Sequence, residues 1–180
     1  MPVEGHILEI ASGTGEHGVA FTERFQSLLW TYSDLDELSL ASQAAWGAHT
    51  KREGRLSGPL RVDASKAGWG EAERPGAYDA IFCANMVHIA PFEAAEGLIS
   101  GAGRLLASGG RLMLYGPFAR AGVIAPSNAR FSEDLKRRDE SWGVRDLDHE
   151  IIPLTEKSGL TLAAVIDMPA NNLSVIFEKR

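Results

Sequence analysis

A glycine-containing turn and two carboxylates are the residues of this sequence best suited to chemistry. The segment Glu9–Gly18 reads EIASGTGEHG and follows a short apolar run, so its glycines fall where a strand would turn into a helix. The start of such a helix offers unpaired N–H groups and a positive dipole end, which suit a carboxylate or phosphate. Asp34 follows Gly15 by nineteen residues, where a carboxylate can accept both hydroxyl hydrogens of a ribose. Together they predict a nucleotide site.

Two classes of nucleotide compete for this turn. Gly13, Gly15 and Gly18 satisfy G-x-G-x-x-G, the pattern of nicotinamide-dependent dehydrogenases. Glu9 argues against that class, because a carboxylate at the end of the first strand would repel a pyrophosphate but attract an ammonium group. The Tyr-x-x-x-Lys pair of single-domain dehydrogenases is also absent. A nucleoside with an amino-acid tail is favoured, and the dehydrogenase remains the alternative.

The elements that must position these residues alternate between strand and helix. Strands are predicted at Ile7–Ile10, Leu29–Tyr32, Leu60–Val62, Tyr78–Ala84, Arg111–Tyr115, Thr161–Asp167 and Asn172–Glu178. Helical faces are predicted through Phe21, Phe25 and Leu28, through Leu38, Ala41, Ala45 and Ala48, from Phe92 to Leu106, over Ala125–Glu140 and over Pro153–Ser158. Gly109 and Gly110 are expected to end the third of these helices, and Lys51–Pro59 is expected to be a charged loop.

The last two strands set the topology. Only Met168–Asn171 lies between them, whereas parallel neighbours need a crossover of about a dozen residues or more. They should therefore form a hairpin, which places one antiparallel strand in an otherwise parallel sheet. The predicted fold class is α/β, mostly parallel, with a reversed final strand.

Composition restricts the class of protein further. The chain has 180 residues, 44% of them hydrophobic and 23% charged, which predicts one domain over residues 1–180. The net charge of −6 disfavours nucleic acid as a partner. We find neither a signal peptide nor an apolar run of the roughly 20 residues that span a bilayer, so a cytoplasmic location without a membrane partner is expected. The single cysteine, Cys83, should be a buried inert thiol, and no metal site is predicted.

Candidate catalytic and substrate-binding residues follow the strands of the second half. The candidate catalytic residues are His88, Asn85 and Tyr115, and His88 has an ordinary pKa near 6.5 that suits a general base. Its imidazole would alternatively hydrogen-bond the backbone before a helix. The candidate substrate contacts are Met86, Pro117, Trp142, Arg145, Asn171 and Asn172.

Several of these contacts have a structural alternative. Asn171 and Asn172 are ordinary turn residues, and the turn interpretation is preferred. Trp142 and Arg145 would contact an anionic or aromatic substrate. Alternatively, Trp142 packs on the sheet while Arg145 pairs with Asp146 or with a helix end, and this second interpretation is preferred.

The sequence resembles the class I S-adenosylmethionine-dependent methyltransferases. The resemblance lies in Glu9-x-x-x-Gly13-x-Gly15, in Asp34 and in Asp63. Within that class it is similar to a small family catalogued as a domain of unknown function. The matching blocks are Leu8–Gly15, Cys83–Pro91, Leu114–Phe118, Pro126–Asn128, Trp142–Asp146 and Pro169–Asn172. The resemblance implies a Rossmann-like, seven-stranded sheet with an antiparallel last strand and helices on both faces.

The resemblance also implies S-adenosyl-L-methionine as cofactor and a role for each matching residue. Glu9 would face the methionine ammonium, directly or through water, and the backbone of Ala11, Ser12, Gly13 and Gly15 would line the methionyl group. Asp34 would bind the ribose diol and Asp63 the adenine amino group, with Leu35 and Ala64 on the ring. Ala84 and Asn85 would lie beside the sulfonium. Ala11 departs from the pattern, because many members have glycine there.

These expectations define three functional hypotheses. The first is a methyltransferase acting on an unidentified acceptor, for which a small molecule is expected and a protein side chain is the alternative. The second is an NAD(P)-dependent single-domain oxidoreductase. The third is a non-catalytic module of the same fold.

The chain starts almost on its first strand, whereas relatives usually have a preceding helical segment, so weaker cofactor binding is expected.

Overall fold

The computed structural model describes residues 2–49 and 54–180 of the protein. Its strands are β1 (Glu4–Ile10), β2 (Ser27–Asp34), β3 (Leu56–Arg61), β4 (Tyr78–Ala84), β5 (Leu106–Ala119), β6 (Arg145–Asp146), β7 (Leu160–Met168) and β8 (Asn172–Lys179). Its α-helices are α1 (Glu16–Arg24), α2 (Glu37–His49), α3 (Phe92–Leu105), α4 (Pro126–Arg138) and α5 (Ile152–Lys157). Short helical turns lie at Gly70–Ala72, Met86–His88, Leu147–Ile151 and Pro169–Asn171.

The strands form a sheet of order β3-β2-β1-β4-β5-β8-β7, and the two-residue β6 pairs with β5 beside this path. β1 to β5 are parallel along the path, whereas β8 is antiparallel to both β5 and β7. The predicted hairpin, the seven-stranded path and the reversed last strand are confirmed. The parallel strands β1, β2 and β4 end together at Ile10, Asp34 and Ala84, which we call the carboxyl edge.

The two faces of the sheet are packed differently. One face, which we call the covered face, packs Leu8 and Ile10 of β1 against the buried side chains of α3, with α5 beside them. A β-carbon on Gly97 of α3 would lie only 1.9 Å from the carbonyl oxygen of Ala64, so this helix contacts the backbone beneath it directly. The covered face therefore carries most of the core.

The opposite face, which we call the open face, has a smaller apolar cluster around Trp30, Tyr32, Phe82 and Met113. Among the described residues, α1 is the only helix that adds a side chain to this cluster, through Phe21. Helices on both faces were expected and are found, but the open face is incompletely covered.

Several element predictions need correction. The buried residue of α2 is Gln43, whereas Leu38 of the predicted apolar face is 82% exposed. Leu28 belongs to β2 rather than to the preceding helix. The third predicted helix ends at Leu105, and β5 runs through Gly109 and Gly110, which therefore do not terminate it.

The loop predicted at Lys51–Pro59 lies partly outside the described residues, and its last part belongs to β3. Cys83 is buried as predicted, and burial raises the pKa of its thiol to about 12. Within residues 2–49 and 54–180, no helix is long and apolar enough to cross a membrane.

Candidate functional site

The turn after β1 is built from left-handed backbone positions. Ala11 has a φ of 56° and Gly13 a φ of 56°, a region that favours glycine. A β-carbon on Gly13 would meet nothing within 4 Å, so the turn faces open space there. Ser12 is buried and ties the turn to β2, since its backbone N–H donates to the carbonyl of Ser33 at 2.9 Å. The turn is thus held to β2 through Ser12, whereas its backbone at Gly13 is accessible.

Asp34 is brought directly to this turn. Its Oδ2 accepts the backbone N–H of Gly13 at 2.8 Å, while its Oδ1 accepts those of Leu35 and Asp36. A carboxylate has about four acceptor positions, so three backbone bonds leave capacity mainly on Oδ2. The predicted convergence of Asp34 and the glycine turn is therefore seen. Little capacity remains to bind both hydroxyls of a ribose at once.

The side chain of Glu9 does not join Asp34 and the glycine turn. Its carboxylate is 1% exposed and lies on the open face, where Oε2 accepts the indole N–H of Trp30 at 2.9 Å and Oε1 accepts His17 Nδ1–H at 2.8 Å. The expected direct contact with an ammonium group is not supported by this placement. The physical reason is that two donors on the same face already satisfy the buried charge.

Gln43 on α2 is a site residue that the sequence reasoning missed. Its side-chain Nε2 donates to the carbonyl oxygen of Gly13 at 2.9 Å, and Ser42 donates to that of Thr14. The Gln43 Oε1 is buried without a partner among the described residues. The available signal was that Ser39, Ser42 and Gln43 share one helical face, which makes this face polar rather than apolar.

The residues predicted to contact adenine differ in exposure. Leu35, beside Asp34, is 51% exposed, as a side chain that covers a ligand ring would be. Asp63 caps its own loop, because its Oδ1 accepts from both the N–H and the hydroxyl of Ser65. Ala64 is 8% exposed. Of the three, Leu35 presents the largest free surface.

A second group of predicted residues meets where β4 and β5 run side by side. The exposed Asn85 follows Ala84 with a φ of 62°, and its N–H donates to the carbonyl of Tyr115 at 2.8 Å. A β-carbon on Gly116 would lie 2.7 Å from His88 Nε2 and 3.2 Å from Asn85 Oδ1, so all three crowd together. His88 and Asn85 therefore lie together beside Gly116, whereas the side chain of Tyr115, one position earlier on β5, lies on the open face.

His88 is fully buried and lies edge-on to Phe118, with ring centroids 4.8 Å apart. Neither ring nitrogen has a hydrogen-bond partner of good geometry within the part of the chain that the structure describes, and the expected ring–backbone interaction is limited to a weak one with Gly143, which acts to raise the pKa. Burial, with a smaller effect from the Arg145 charge, lowers the pKa of His88 to about 3. The imidazole is therefore neutral near pH 7.

The terminal hairpin closes this region from the β8 side. The Asn172 side-chain N–H donates to the Tyr115 hydroxyl at 3.4 Å and to the Pro169 carbonyl at 3.1 Å. Asn171 donates to Ser127 and accepts from Asn128 through its carbonyl, so it joins the hairpin to α4. The turn role of both asparagines is seen, and Asn172 also reaches the candidate site.

The remaining predicted substrate contacts are mostly occupied or buried. Arg145 donates to the carbonyls of Val87, Ala90 and Ser141 and stacks on Phe92. Trp142 is half-buried beneath the guanidinium of Arg138. Met86 and Pro117 are buried. Arg145 thus holds the segment that contains His88, which is close to its structural alternative.

Two cavities lie near the carboxyl edge. One of about 340 Å³ is on the open face, between His17 of α1 and Ile166 of β7. The other, of about 440 Å³, is lined by Phe118, Val123 and Asn172. A third, of about 560 Å³, lies at the opposite end of the sheet, around Asp79. Gly13 and Asp34 line none of these three and instead border an open surface.

Comparison with solved structures shows which proteins share this fold. The chain is similar to an O-methyltransferase family protein from Burkholderia thailandensis, with a TM-score of 0.81, 18% identity and coverage of 99% of this chain and 53% of the other. It is also similar to an O-methyltransferase family 2 protein from Planctomyces limnophilus in complex with apigenin, with a TM-score of 0.80, 20% identity and coverage of 97% and 51%.

A third similar structure is CalO1, a methyltransferase of calicheamicin biosynthesis in its SAH-bound form, with a TM-score of 0.77, 16% identity and coverage of 100% and 50%. The chain spans about half the length of these proteins. At these identities the likeness shows the fold alone, which is that of the class I methyltransferases.

The family follows from the sequence. The family model described as "Protein of unknown function (DUF938)" matches residues 1–179, so the chain belongs to the DUF938 family. This agrees with the expected resemblance to a family catalogued as a domain of unknown function.

Proposed function

We propose that residues 1–180 form one S-adenosylmethionine-binding domain that methylates a small molecule. The observation that carries the proposal is the hydrogen bond between the Asp34 carboxylate and the Gly13 N–H, which joins the ends of β1 and β2 at an open surface. The fold supports it, because solved methyltransferases share it, one of them in an SAH-bound form. The small-molecule acceptor is supported by the apigenin complex of another.

The residues at the carboxyl edge fit the cofactor in part. The open backbone at Gly13 would receive the methionyl carboxylate near the start of α1. Asp34 Oδ2 would accept one ribose hydroxyl, and the exposed Leu35 would cover the adenine, with Asp63 at its amino group. The backbone of Ala84 and Asn85 would border the reacting centre. Glu9 is omitted from the direct contacts, since both its oxygens are engaged.

When bound, S-adenosylmethionine would supply an electrophilic methyl group. The protein would then mainly align the acceptor. Asn85 and Tyr115 border the place where the acceptor oxygen or nitrogen would lie, and Asn172 holds the Tyr115 hydroxyl. His88 is fully buried and has a pKa of about 3, so it would stay neutral beside the reacting centre without contacting the acceptor.

Isothermal titration with S-adenosylhomocysteine tests the cofactor assignment. We expect Asp34→Ala to weaken binding by at least about ten-fold, which corresponds to about 1.4 kcal/mol. Asp36→Ala is the control, because this neighbouring carboxylate accepts from Ser39 rather than from the glycine turn.

A second pair of variants tests the same site in case Asp34→Ala does not fold. Leu35→Ser should weaken binding of S-adenosylhomocysteine, whereas Leu38→Ser should not, and both side chains are already exposed. Tight binding of NADH without binding of S-adenosylhomocysteine would favour the oxidoreductase alternative. Binding of neither would favour the non-catalytic module.

A further inference from the structure

The cavity of about 340 Å³ on the open face has a distinct floor. Strand register places Phe82, Met113 and Ile176 side by side on β4, β5 and β8. All three line the cavity, together with Phe21 of α1. Its volume lies at the lower end of the range for small-molecule sites. A flat apolar surface of this kind suits an aromatic ring system.

A second row of residues lies two positions further along the same strands. Register aligns Ala84, Tyr115, Ser174 and Ile166 across β4, β5, β8 and β7. Successive residues on a strand alternate between faces, so this row shares the face of the apolar floor. Tyr115 and Ser174 line the cavity and add two hydroxyl groups. The row ends at Ala84, beside the place proposed for the reacting centre.

His17 stands at the rim of the same cavity. Its Nδ1–H donates to the buried Glu9 carboxylate, which the Trp30 indole N–H holds from the other side. The ring lies edge-on to Phe82, with centroids 5.4 Å apart, and the side chain is 50% exposed. With Nδ1 engaged, Nε2 is the ring nitrogen that a ligand can use. A carboxylate that orients an imidazole in this way makes the opposite nitrogen a better proton acceptor.

We propose that this cavity binds the methyl acceptor, that the acceptor is a small aromatic alcohol, and that His17 Nε2 accepts its hydroxyl proton. The inference rests on the proposed function. The aromatic ring lies on Phe82, Met113 and Ile176, and its oxygen points toward Tyr115 and His17. In the transfer, the acceptor oxygen forms a bond to the methyl carbon as the carbon–sulfur bond breaks, and the electron pair remains on sulfur. The hydroxyl proton moves to His17 Nε2.

Glu9 takes a new role in this arrangement. As a positioning residue it fixes the orientation of His17, and hydrogen bonding to Glu9 raises the pKa of that imidazole. The structure thus offers a base on the open face, whereas the buried His88 has a lowered pKa.

Fluorescence titration of 2-naphthol, with and without S-adenosylhomocysteine, tests the location. Ile166→Glu adds a charge at the cavity wall and should weaken 2-naphthol binding by about ten-fold or more. Leu162→Glu is the matched control, because it lies on the same strand with comparable exposure, 38% against 48%, outside the cavity. Val123→Glu probes the neighbouring cavity of about 440 Å³. Both controls should bind 2-naphthol within about two-fold of the wild type.

The role of His17 is tested by comparing 2-naphthol with naphthalene, which lacks the hydroxyl. His17→Gln should weaken 2-naphthol binding by about three-fold or more and leave naphthalene binding unchanged, since one hydrogen bond is removed. Equal loss for both ligands would overturn the hydrogen-bond assignment.

Absence of 2-naphthol binding to the wild type, or loss through Val123→Glu instead of Ile166→Glu, would overturn the location. The cofactor proposal fails separately, through the titration with S-adenosylhomocysteine, because 2-naphthol is also titrated without that ligand.

Discussion

The covered and open faces of the sheet differ in how tightly they are packed and in what they leave available. On the covered face, α3 contacts the backbone of the Ala64 segment directly, and His88 is buried without a hydrogen-bond partner of good geometry among the described residues. On the open face, α1 leaves a cavity beside a half-exposed imidazole that is bound to a buried carboxylate. Two histidines near the same edge therefore have opposite environments.

The difference shows that close packing and an accessible cavity with polar groups lie on separate faces of the sheet. Close packing excludes water and polar ligands, which is why burial lowers the pKa of His88. An open cavity with hydroxyl and imidazole groups lacks close-packed contacts but can accept a ligand. Substitutions on each face should accordingly affect different measurements.

Gly97→Ala should have the largest effect on stability. The added β-carbon would lie 1.9 Å from the Ala64 carbonyl oxygen, and backbone on both sides of the contact cannot rotate away. We expect a loss of about 3 kcal/mol in the free energy of unfolding, measured with urea.

Gly18→Ala tests the same change on the open face. There the new β-carbon would lie 2.5 Å from the ring of Tyr32, a side chain rather than backbone. We expect a smaller loss than for Gly97→Ala. Gly47→Ala in α2 meets nothing within 4 Å and should stabilise by about 0.5–1 kcal/mol. Equal losses for Gly97→Ala and Gly18→Ala would contradict the difference in packing.

A pH-dependent loss of stability should follow from His88. Because its folded pKa of about 3 lies below the unfolded value near 6.5, the unfolded state binds the proton first as pH falls. Stability from this residue is therefore complete above pH 6.5 and declines toward pH 3. Between pH 7.5 and 5.5 the expected loss is on the order of 1 kcal/mol.

His88→Phe isolates the pH-dependent contribution of His88 to stability, since phenylalanine keeps an aromatic ring against Phe118 and has no titrating group. The wild type should lose on the order of 1 kcal/mol more than the variant over that interval in urea unfolding. The same loss in both proteins would show that another group is responsible.

Much of the fold was predictable because local signals agreed with it. The apolar run Tyr78–Ala84 forms the central β4, and the short connection before Asn172 forces the hairpin. α2 was predicted with the wrong face inward. Hydrophobic periodicity favoured Leu38, whereas the residue that is buried is Gln43, which pairs with the Gly13 carbonyl. A polar contact of this kind has no signature in an apolar pattern.

The candidate site was predictable where backbone geometry determines it. Gly13 and Asp34 meet because parallel neighbouring strands end at one edge. Glu9 could not be placed, because its partners Trp30 and His17 are brought to it by strand pairing and by the turn into α1. Spacing in the sequence shows which residues lie at the carboxyl edge. It does not show which neighbouring groups a side chain at that edge will contact.

His17 should give the smallest effect, and its sign should be opposite to that of His88. Hydrogen bonding to Glu9 raises the pKa of His17, with the Glu9 and Glu16 charges adding to it and partial burial opposing it. The folded state therefore holds this proton more tightly than the unfolded state, and the stabilisation is complete below pH 6.5 and lost as pH rises through the folded pKa.

Since the side chain is half exposed, we expect less than about 1 kcal/mol between pH 5.5 and 8.5. His17→Gln should remove this contribution in urea unfolding, so that the variant loses less stability than the wild type as pH rises. His149→Gln is a suitable control, because that imidazole lies 3.6 Å from Asp146 at an exposed position far along the chain from Glu9. If His17→Gln leaves the pH profile unchanged, the Glu9–His17 bond does not persist in solution and the open face lacks the oriented imidazole that distinguishes it from the covered face.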